Sequence, residues 1–166
     1  MERKWVNRKR NGKQILFAAI HERTEPSRGK RIAMCITKIL YKRLNFERRK
    51  IRAGMKIFEC MIADSFSKQM LGLMHRKSIK KNEGMLFMFG RDGSYPIWMM
   101  NMKFPIDIVW IDKGCRVVDI AEDAIPCKSL FGCKSYYPRK KSRYVLEINS
   151  GEAKRNRIKI GSKITL

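Results

Sequence analysis

Two carboxylates lie within otherwise apolar segments of this chain, where they could bind a ligand or transfer a proton. Asp107 lies in the segment 105–110, and Glu147 lies in the segment 144–148. A carboxylate in such a segment carries a desolvation penalty unless it faces water or a partner. Because side chains alternate along a strand, either carboxylate could instead lie on a solvent face. Both residues are therefore candidates for a functional site, and a plain surface position stays open for each.

Three further residues, Arg76, Trp98 and Asn101, could complete one polar pocket with these carboxylates. Such a set suits the binding of a small polar ligand or an extended peptide. The carboxylates could also perform acid/base hydrolysis, with Asp107 or Glu147 as the reacting group. A structural interpretation is equally available, in which Arg76 and Asp107 form a buried ion pair and Trp98 belongs to the core.

Other catalytic and metal-binding signatures are scarce. His75 is the only histidine after residue 54, which excludes a histidine-based triad or a multi-histidine metal site from residues 55–166. At the end of a predicted helix, His75 is expected to be a C-terminal charge partner. The chain is also rich in methionine, whose thioether sulfur can bind copper(I). Methionines at this spacing more often fill the apolar core, because their flexible side chains adapt to its shape. No metal or cofactor is therefore predicted. Seven of the methionines lie close together, at Met70, Met74, Met85, Met88, Met99, Met100 and Met102.

A tract after residue 135 interleaves aromatic rings with positive charge. Tyr136 and Tyr137 precede four basic residues, at Arg139, Lys140, Lys141 and Arg143. Single-strand binding proteins combine stacking rings with cations that follow the phosphates, so RNA or ribosome association is an alternative function. An exposed loop of any very basic protein would look the same. The formal charge of the whole chain is +23, and charge alone supplies only sequence-independent attraction.

A domain boundary is predicted near Gly54. Residues 1–54 form a basic extension that carries more than half of the positive excess, and an over-extended gene start is an alternative explanation for it. Residues 55–166 have the length of a typical domain. No apolar run approaches the roughly 20 residues that a membrane-spanning helix needs, and no segment fits a signal peptide. A cytoplasmic location is therefore expected.

Five cysteines are present, without a Cys-x-x-Cys pair, so neither a zinc ribbon nor a disulfide framework is indicated. Cys127 and Cys133 are the closest pair in the sequence. They could form a disulfide if their Cα atoms come within about 7 Å. Free thiols are the expectation for an intracellular chain.

Short strands separated by turns dominate the pattern after residue 55. Ser65 is a plausible N-cap for a helix that reaches Met74, with Gly72 inside it at a close packing contact. Asp112-Lys113-Gly114 is typical of a hairpin turn that uses glycine for positive φ. The sequence predicts a compact α+β domain with a mainly antiparallel sheet or a partly closed small barrel and one or two short helices. The predicted strands are 56–63, 85–89, 97–100, 104–111, 116–121, 143–148 and 163–166, and a second helix is predicted over 151–156 after a Ser150 cap.

Four short motifs follow one another between residues 72 and 108. They are Gly72-Leu73-Met74, Glu83-Gly84-Met85-Leu86-Phe87, Ile97-Trp98-Met99-Met100-Asn101 and Pro105-Ile106-Asp107-Ile108. This series resembles the family called domain of unknown function 192, also named uncharacterised protein family 0127, and the resemblance covers residues 55–166.

The resemblance implies which positions carry the candidate site. Arg76, Asn101, Asp107 and Glu147 fall on positions that match the family pattern, whereas residues 102–103 depart from it where relatives usually carry threonine. No reaction is established for the family. The best functional prediction is therefore a small binding or accessory domain with a polar pocket, and nucleic-acid association and hydrolysis remain the alternatives.

Overall fold

The computed structural model describes residues 44–127 and 133–166. Within these ranges the fold is mostly β, with only two short helices, so it has more β character than the predicted α+β class. Residues 1–43 of the predicted basic extension lie outside the described residues. In chain order the elements are β1 (Arg48–Ala53), β2 (Lys56–Ala63), α1 (Phe66–Leu71), β3 (Glu83–Gly93), β4 (Ile97–Trp98), β5 (Ile106–Ile111), β6 (Val117–Ala124), β7 (Ser135–Tyr136), β8 (Ser142–Asn149), α2 (Glu152–Arg155) and β9 (Ile164–Thr165).

The main sheet has seven strands in the order β6-β5-β8-β3-β2-β1-β9. Strands β2 and β3 pair in parallel, and the other neighbours pair antiparallel, as the predicted mainly antiparallel sheet requires. A separate two-stranded ribbon joins β4 to β7. The chain between the parallel strands β2 and β3 contains α1, because parallel neighbours need a crossover connection.

The main sheet curls into a half-barrel, in agreement with the predicted partly closed barrel. Its two edges meet at one end, where the backbone N–H of Val117 donates to the carbonyl of Ser162 over 2.9 Å. The backbone N–H of Ile164 donates to the carbonyl of Cys115 over 2.8 Å in the same region. Arg116 and Lys163 form an isolated antiparallel bridge there. These bonds satisfy edge groups that would otherwise be open to another chain.

Each face of the sheet carries its own apolar cluster. The inner face contains Ile51, Leu86 and Leu146, together with Ala153 of α2. The outer face is covered by segments that precede and follow β3 and β4, and its cluster includes Met61, Met85, Leu73, Ile79, Met99 and Met102. All six residues of β5 are buried because this strand is covered on both faces. Of the seven crowded methionines, three are buried in the outer cluster and Met88 packs against the inner one, so the core interpretation holds for about half of them.

The predicted boundary at Gly54 coincides with the turn between β1 and β2. Ala53 pairs with Lys56, which leaves Gly54 and Met55 as a two-residue hairpin loop. Strand β1 lies before this turn, and its residues Ile51 and Ala53 are fully buried in the inner cluster. Residues 48–53 therefore belong to the same sheet as the segment that was expected to begin at Met55.

Gly54 is the glycine at which a substitution should destabilise the fold most. It has φ +59°, and a Cβ at this position would collide with the carbonyl of Asn156, which accepts a hydrogen bond from the backbone of Met55. We expect Gly54→Ala to lower the free energy of unfolding by about 2–5 kcal/mol, because a left-handed alanine and a backbone clash add together. Urea denaturation followed by circular dichroism measures this loss.

Two other glycines separate the causes of that loss. Gly161 has φ +87° and open space where a Cβ would lie, and Gly90 has the same open space without a positive φ. Gly161→Ala should therefore show only the backbone strain, and Gly90→Ala should show neither effect. Equal stability of all three variants would contradict the close packing of the turn against α2.

Two glycine predictions need correction. Helix α1 ends at Leu71, so Gly72 is its C-cap with φ 49° rather than an interior residue, although its packing contact exists: a Cβ would lie 3.3 Å from the Phe87 ring. Ser65 is the N-cap, as predicted, but without a side-chain capping bond. In the turn between β5 and β6, the positive φ falls on Cys115 at 59° and not on Gly114.

Two further findings concern the cysteines and the membrane. Cys127 and Cys133 form a disulfide with a Cα–Cα distance of 5.3 Å, contrary to the expectation of free thiols for this pair. Cys60 is a buried free thiol, and burial raises its pKa to about 12. Among the described residues, none of the helices is long and apolar enough to cross a bilayer.

Candidate functional site

Asp107 lies on the inner face of the sheet, where the backbone satisfies both of its carboxylate oxygens. Its Oδ1 accepts a hydrogen bond from the backbone N–H of Asp123 at 3.0 Å, and its Oδ2 accepts one from Ala153 at 2.8 Å. The side chain is fully buried. Ala153 belongs to the first turn of α2, where backbone N–H groups lack partners within the helix. Asp107 therefore ties β5 to β6 and to the start of α2.

Ser150 supports this arrangement in a way that differs from the predicted helix cap. Gly151, with φ 77°, is the N-cap of α2. The Ser150 hydroxyl instead donates to the Asp123 carboxylate at 2.7 Å, next to the backbone group that Asp107 binds. The serine thus holds the chain segment that carries one of the two donors to Asp107.

Glu147 lies on the opposite face. In the sheet register it is beside Met85 on β3 and beside Ile108 on β5, both of the outer cluster. Only 4% of the residue is exposed, and no described group donates a hydrogen bond to its carboxyl oxygens. Burial raises the pKa of Glu147 to about 8. A buried titratable group that is strongly perturbed in this way is typical of functional sites.

The register shows why the two carboxylates do not form a pair. Asp107 is directly opposite Ile148, and Glu147 is directly opposite Ile108, so one residue of offset places them on different faces. They cannot act together on one bond. The expected ion pair between Arg76 and Asp107 is also wrong, because the oxygens of Asp107 bind backbone groups.

Arg76 and Asn101 come close together in the segments that cover the outer face. The backbone N–H of His75 donates to the carbonyl of Asn101 at 2.9 Å, which joins the two segments. Both His75 and Asn101 have positive φ, at 64° and 57°. The Arg76 Nη2 atom lies 3.0 Å from the Met61 sulfur on β2. Arg76 is therefore on the same face of the sheet as Glu147.

One row across the sheet connects Arg76 with Glu147. Met61 pairs with Met85, and Met85 pairs with Glu147. Because neighbouring strands are roughly 4.8 Å apart, the Cα atoms of Met61 and Glu147 are about 10 Å apart. A cationic group and a buried carboxyl thus flank a thioether surface of two methionines.

His75 does not have the predicted role of a helix charge partner, because α1 ends four residues earlier. Partial burial and then the positive charge of Lys103 lower the pKa of His75. The imidazole is therefore mostly neutral at pH 7. The positive charge in the segments that cover the outer face therefore comes from Arg76 and Lys103, and not from His75.

Trp98 occupies a different surface. It lies on β4, where its neighbours Ile97 and Met99 point into the outer cluster and Trp98 points outward with 39% exposure. The alternative that placed this ring in the core is wrong. Of the five predicted site residues, the structure places Arg76 and Glu147 on the outer face, with Asn101 bonded to the segment of Arg76, and places Asp107 on the inner face; Trp98 is 39% exposed on β4.

Asn149 is a residue that the sequence reasoning missed. Its side-chain amide donates to the carbonyls of Ile79 and Lys80, at 3.3 and 3.0 Å. Asn149 follows Glu147 by two residues on β8, so both side chains lie on the outer face. It holds the covering segment against the sheet beside the buried carboxyl. The sequence did contain a signal for Asn149, because a polar residue two positions after Glu147 on a strand must lie on the same face of the sheet as Glu147.

Two of the four cations in the predicted nucleic-acid tract bind carboxylates. The Arg139 guanidinium contacts Asp119 at 2.7 Å, and its backbone N–H donates to the same carboxylate at 2.8 Å. The Arg143 Nε donates to Asp92 at 2.7 Å. Lys140 and Lys141 are exposed, and neither forms an ion pair with a described residue.

The donor set for a metal is limited in the described ranges. No group of three or more histidine, cysteine, aspartate or glutamate side chains there could hold a metal ion.

The fold and the site define a small, mostly β domain on a curled sheet, with a buried carboxyl beneath a covering layer. The chain belongs to the DUF192 family, described as "Uncharacterized ACR", whose profile matches residues 48–166. This family has no established function.

Similar proteins agree with this assignment. The UPF0127 protein TK1120 of Thermococcus kodakarensis is 31% identical over 88 residues, which are 52% of this chain and 50% of the relative. The chain thus matches about half the length of that curated relative. A crystal structure from Sinorhizobium meliloti, described as "a putative transcription regulator", has a TM-score of 0.68 with 26% identity and covers 74% of this chain and 95% of that one. A protein of unknown function from Novosphingobium aromaticivorans has a TM-score of 0.67 with 28% identity and covers 73% and 86%.

Proposed function

We propose that this protein is a binding domain that holds a small polar ligand over the outer face of its sheet, between Arg76 and Glu147. The observation that carries the proposal is the carboxyl of Glu147, buried between Met85 and Ile108 without a hydrogen-bond donor among the described residues. Burial imposes a desolvation penalty on the charged form of this carboxyl, which is why its pKa is raised. A ligand that bonds to this carboxyl would remove that penalty.

The side chains of Glu147 and Arg76, at the two ends of the proposed site, suggest a class of ligand. With a pKa of about 8, Glu147 is mostly protonated at pH 7 and offers an O–H donor. Arg76 offers N–H donors and a permanent positive charge at the other end of the row. Both ends favour oxygen acceptors, and Arg76 favours an anionic one. A small carboxylate, especially a dicarboxylate, fits this pattern.

Binding is favoured over hydrolysis by the separation of the carboxylates. Asp107 uses both oxygens to hold backbone N–H groups, and it faces the other side of the sheet. A two-group proton transfer would need a second acid or base beside Glu147, and no contact among the described residues joins His75 to Glu147. A single buried carboxyl suits recognition of a ligand better than a two-group proton transfer.

The test measures ligand binding with defined probes. We expect acetate, succinate or glutarate to raise the melting temperature of the full chain in a concentration-dependent manner, because a ligand that binds only the folded state stabilises it by about 2.7 kcal/mol at 100 times its Kd. Native mass spectrometry of untagged protein from its own host, compared with the denatured mass, gives an independent search for a retained ligand.

Variants assign the binding to the site. Arg76→Ala and Glu147→Leu should each weaken carboxylate binding at least about tenfold, which corresponds to about 1.4 kcal/mol, because leucine removes the donor that a glutamine amide would still supply. Lys77→Ala is the matched control, because it removes one exposed positive charge from the residue next to Arg76. Equal loss in Lys77→Ala would point to general charge attraction. Absence of both a mass excess and a carboxylate response would refute the proposal.

A further inference from the structure

The ribbon of β4 and β7 presents a second surface that the ligand site does not use. Ile97 pairs with Tyr136, and Trp98 pairs with Ser135. Ile97 is buried in the outer cluster and Tyr136 packs against it, so the inward side of the ribbon is anchored to the domain. The Tyr136 hydroxyl also accepts a hydrogen bond from the backbone N–H of Ile125 at 3.3 Å, which fastens the end of β6 to the ribbon.

The outward side of this platform carries large apolar groups. Trp98 is 39% exposed, Tyr137 is 68% exposed and Ile125 is 65% exposed. Tyr137 lies two residues after Ser135, the strand partner of Trp98. Tyr137 is the first residue after β7, which ends at Tyr136. One exposed ring thus lies on the anchored ribbon, and a second lies at its end.

The segment that carries Tyr137 is rich in positive charge. Residues 134–141 contain four cations and no acid. Arg139 binds Asp119 through its side chain and its backbone, which fixes this segment on β6. Lys134 lies with its Nζ atom 5.2 Å from the centre of the Tyr136 ring. Lys140 and Lys141 are exposed beside the fixed arginine.

We propose that this surface, formed by Trp98, Tyr137, Lys134, Lys140 and Lys141, binds single-stranded nucleic acid. Exposed rings offer stacking faces to unpaired bases, and lysines beside them can follow the phosphates. A duplex hides the faces of its bases, and its grooves are read by a helix or a longer protruding ribbon. Two strands of two residues each are too short for that role. The net charge of +23 adds attraction for a polyanion at any site of the chain.

The test compares strands by fluorescence anisotropy with the full chain. We expect labelled 12-nucleotide oligo-U and oligo-dT to bind at least about tenfold more tightly than a 12-base-pair duplex at the same salt concentration, because only unpaired bases can stack on the rings. Trp98→Ala and Tyr137→Ala should each weaken single-strand binding about tenfold, because each would remove a stacking platform. Because both positions are exposed, the circular dichroism spectrum and the melting temperature of each variant should match those of the native protein.

A matched pair of double variants separates this surface from general charge. Lys140→Ala with Lys141→Ala should lower the slope of log affinity against log salt by roughly 1.4, because each lost phosphate contact on a single strand contributes about 0.7. Lys80→Ala with Lys81→Ala removes the same charge just before β3, at the opposite end of that strand from the ribbon. This control should leave the slope unchanged if these lysines do not contact the strand.

Three results would overturn the proposal. Equal slopes for the two double variants would mean that only total charge matters. Duplex affinity equal to single-strand affinity would remove the role of stacking. A concentration-dependent dimer in analytical ultracentrifugation that Trp98→Ala abolishes, together with no oligonucleotide binding, would assign the surface to a second copy of the chain.

Discussion

Asp107→Ala is expected to lower the free energy of unfolding by about 3–5 kcal/mol without changing ligand affinity per folded molecule. The substitution leaves the N–H groups of Asp123 and Ala153 without their acceptors, and the loss is greatest at Ala153, where a buried donor without a partner is unfavourable by roughly 1–3 kcal/mol. The lost side-chain volume adds a smaller cavity effect. Denaturation by urea at pH 7, followed by circular dichroism, measures the change.

Two comparisons make this prediction specific. Asp107→Asn keeps one oxygen acceptor but turns an amide N–H toward the second backbone donor, so its loss should be intermediate. Glu122→Ala removes an exposed carboxylate from β6, which also carries Asp123, and should stay within about 0.5 kcal/mol of the native protein. A stable Asp107→Ala protein that fails to bind carboxylates would instead assign Asp107 to the ligand site.

Glu147→Gln is expected to remove a pH dependence that spans roughly 3–5 kcal/mol of stability. The folded-state pKa of Glu147 is about 8, raised by burial from an ordinary value of 4.5. Between these two pH values the folded protein retains a proton that the unfolded chain has released, so stability falls as pH rises through this window. The stabilising contribution is complete below pH 4.5 and is lost by about pH 8. Glutamine has the same shape and does not titrate there.

The measurement is the free energy of unfolding of both proteins from pH 5 to pH 9. Their stabilities should be similar near pH 5 and diverge steadily toward pH 8, where Glu147→Gln should be the more stable protein. The lowered pKa of His75 acts in the opposite direction, with stability rising as pH rises through its titration. Because both proteins contain His75, the difference between them isolates Glu147. Parallel curves would contradict the buried, protonated carboxyl, and Glu122→Gln serves as the exposed control.

Local sequence patterns predicted the strands well. The segment 56–63 matches β2 at both ends, and the strands around 106–111 and 142–149 were found within two residues. Strand β1 and ribbon strand β7 were missed, although β1 supplies Ile51 to the inner cluster. Strand β1 was missed because it consists mostly of basic residues, and its alternation of buried and exposed side chains is evident only once it pairs with β2.

Predictions about single special residues were less reliable. Gly72 was recognised as a packing position, but its positive φ and its place at the end of α1 were not. The positive φ expected at Gly114 falls on Cys115. The sequence placed Cys127 and Cys133 six positions apart, but only the folded backbone brings their Cα atoms to 5.3 Å.

The amino-acid sequence by itself determined the alternation of apolar residues, the turns and the presence of Asp107 and Glu147 within buried segments. These features depend on neighbours in the chain, so they can be inferred locally. The tertiary structure decided which face of the sheet each carboxylate occupies, because that depends on the register between β5 and β8, which are far apart in sequence. It also decided that Asp107 meets backbone donors of β6 and α2 while Glu147 meets methionine and isoleucine. Contacts between distant segments therefore separated a structural carboxylate from a candidate binding one.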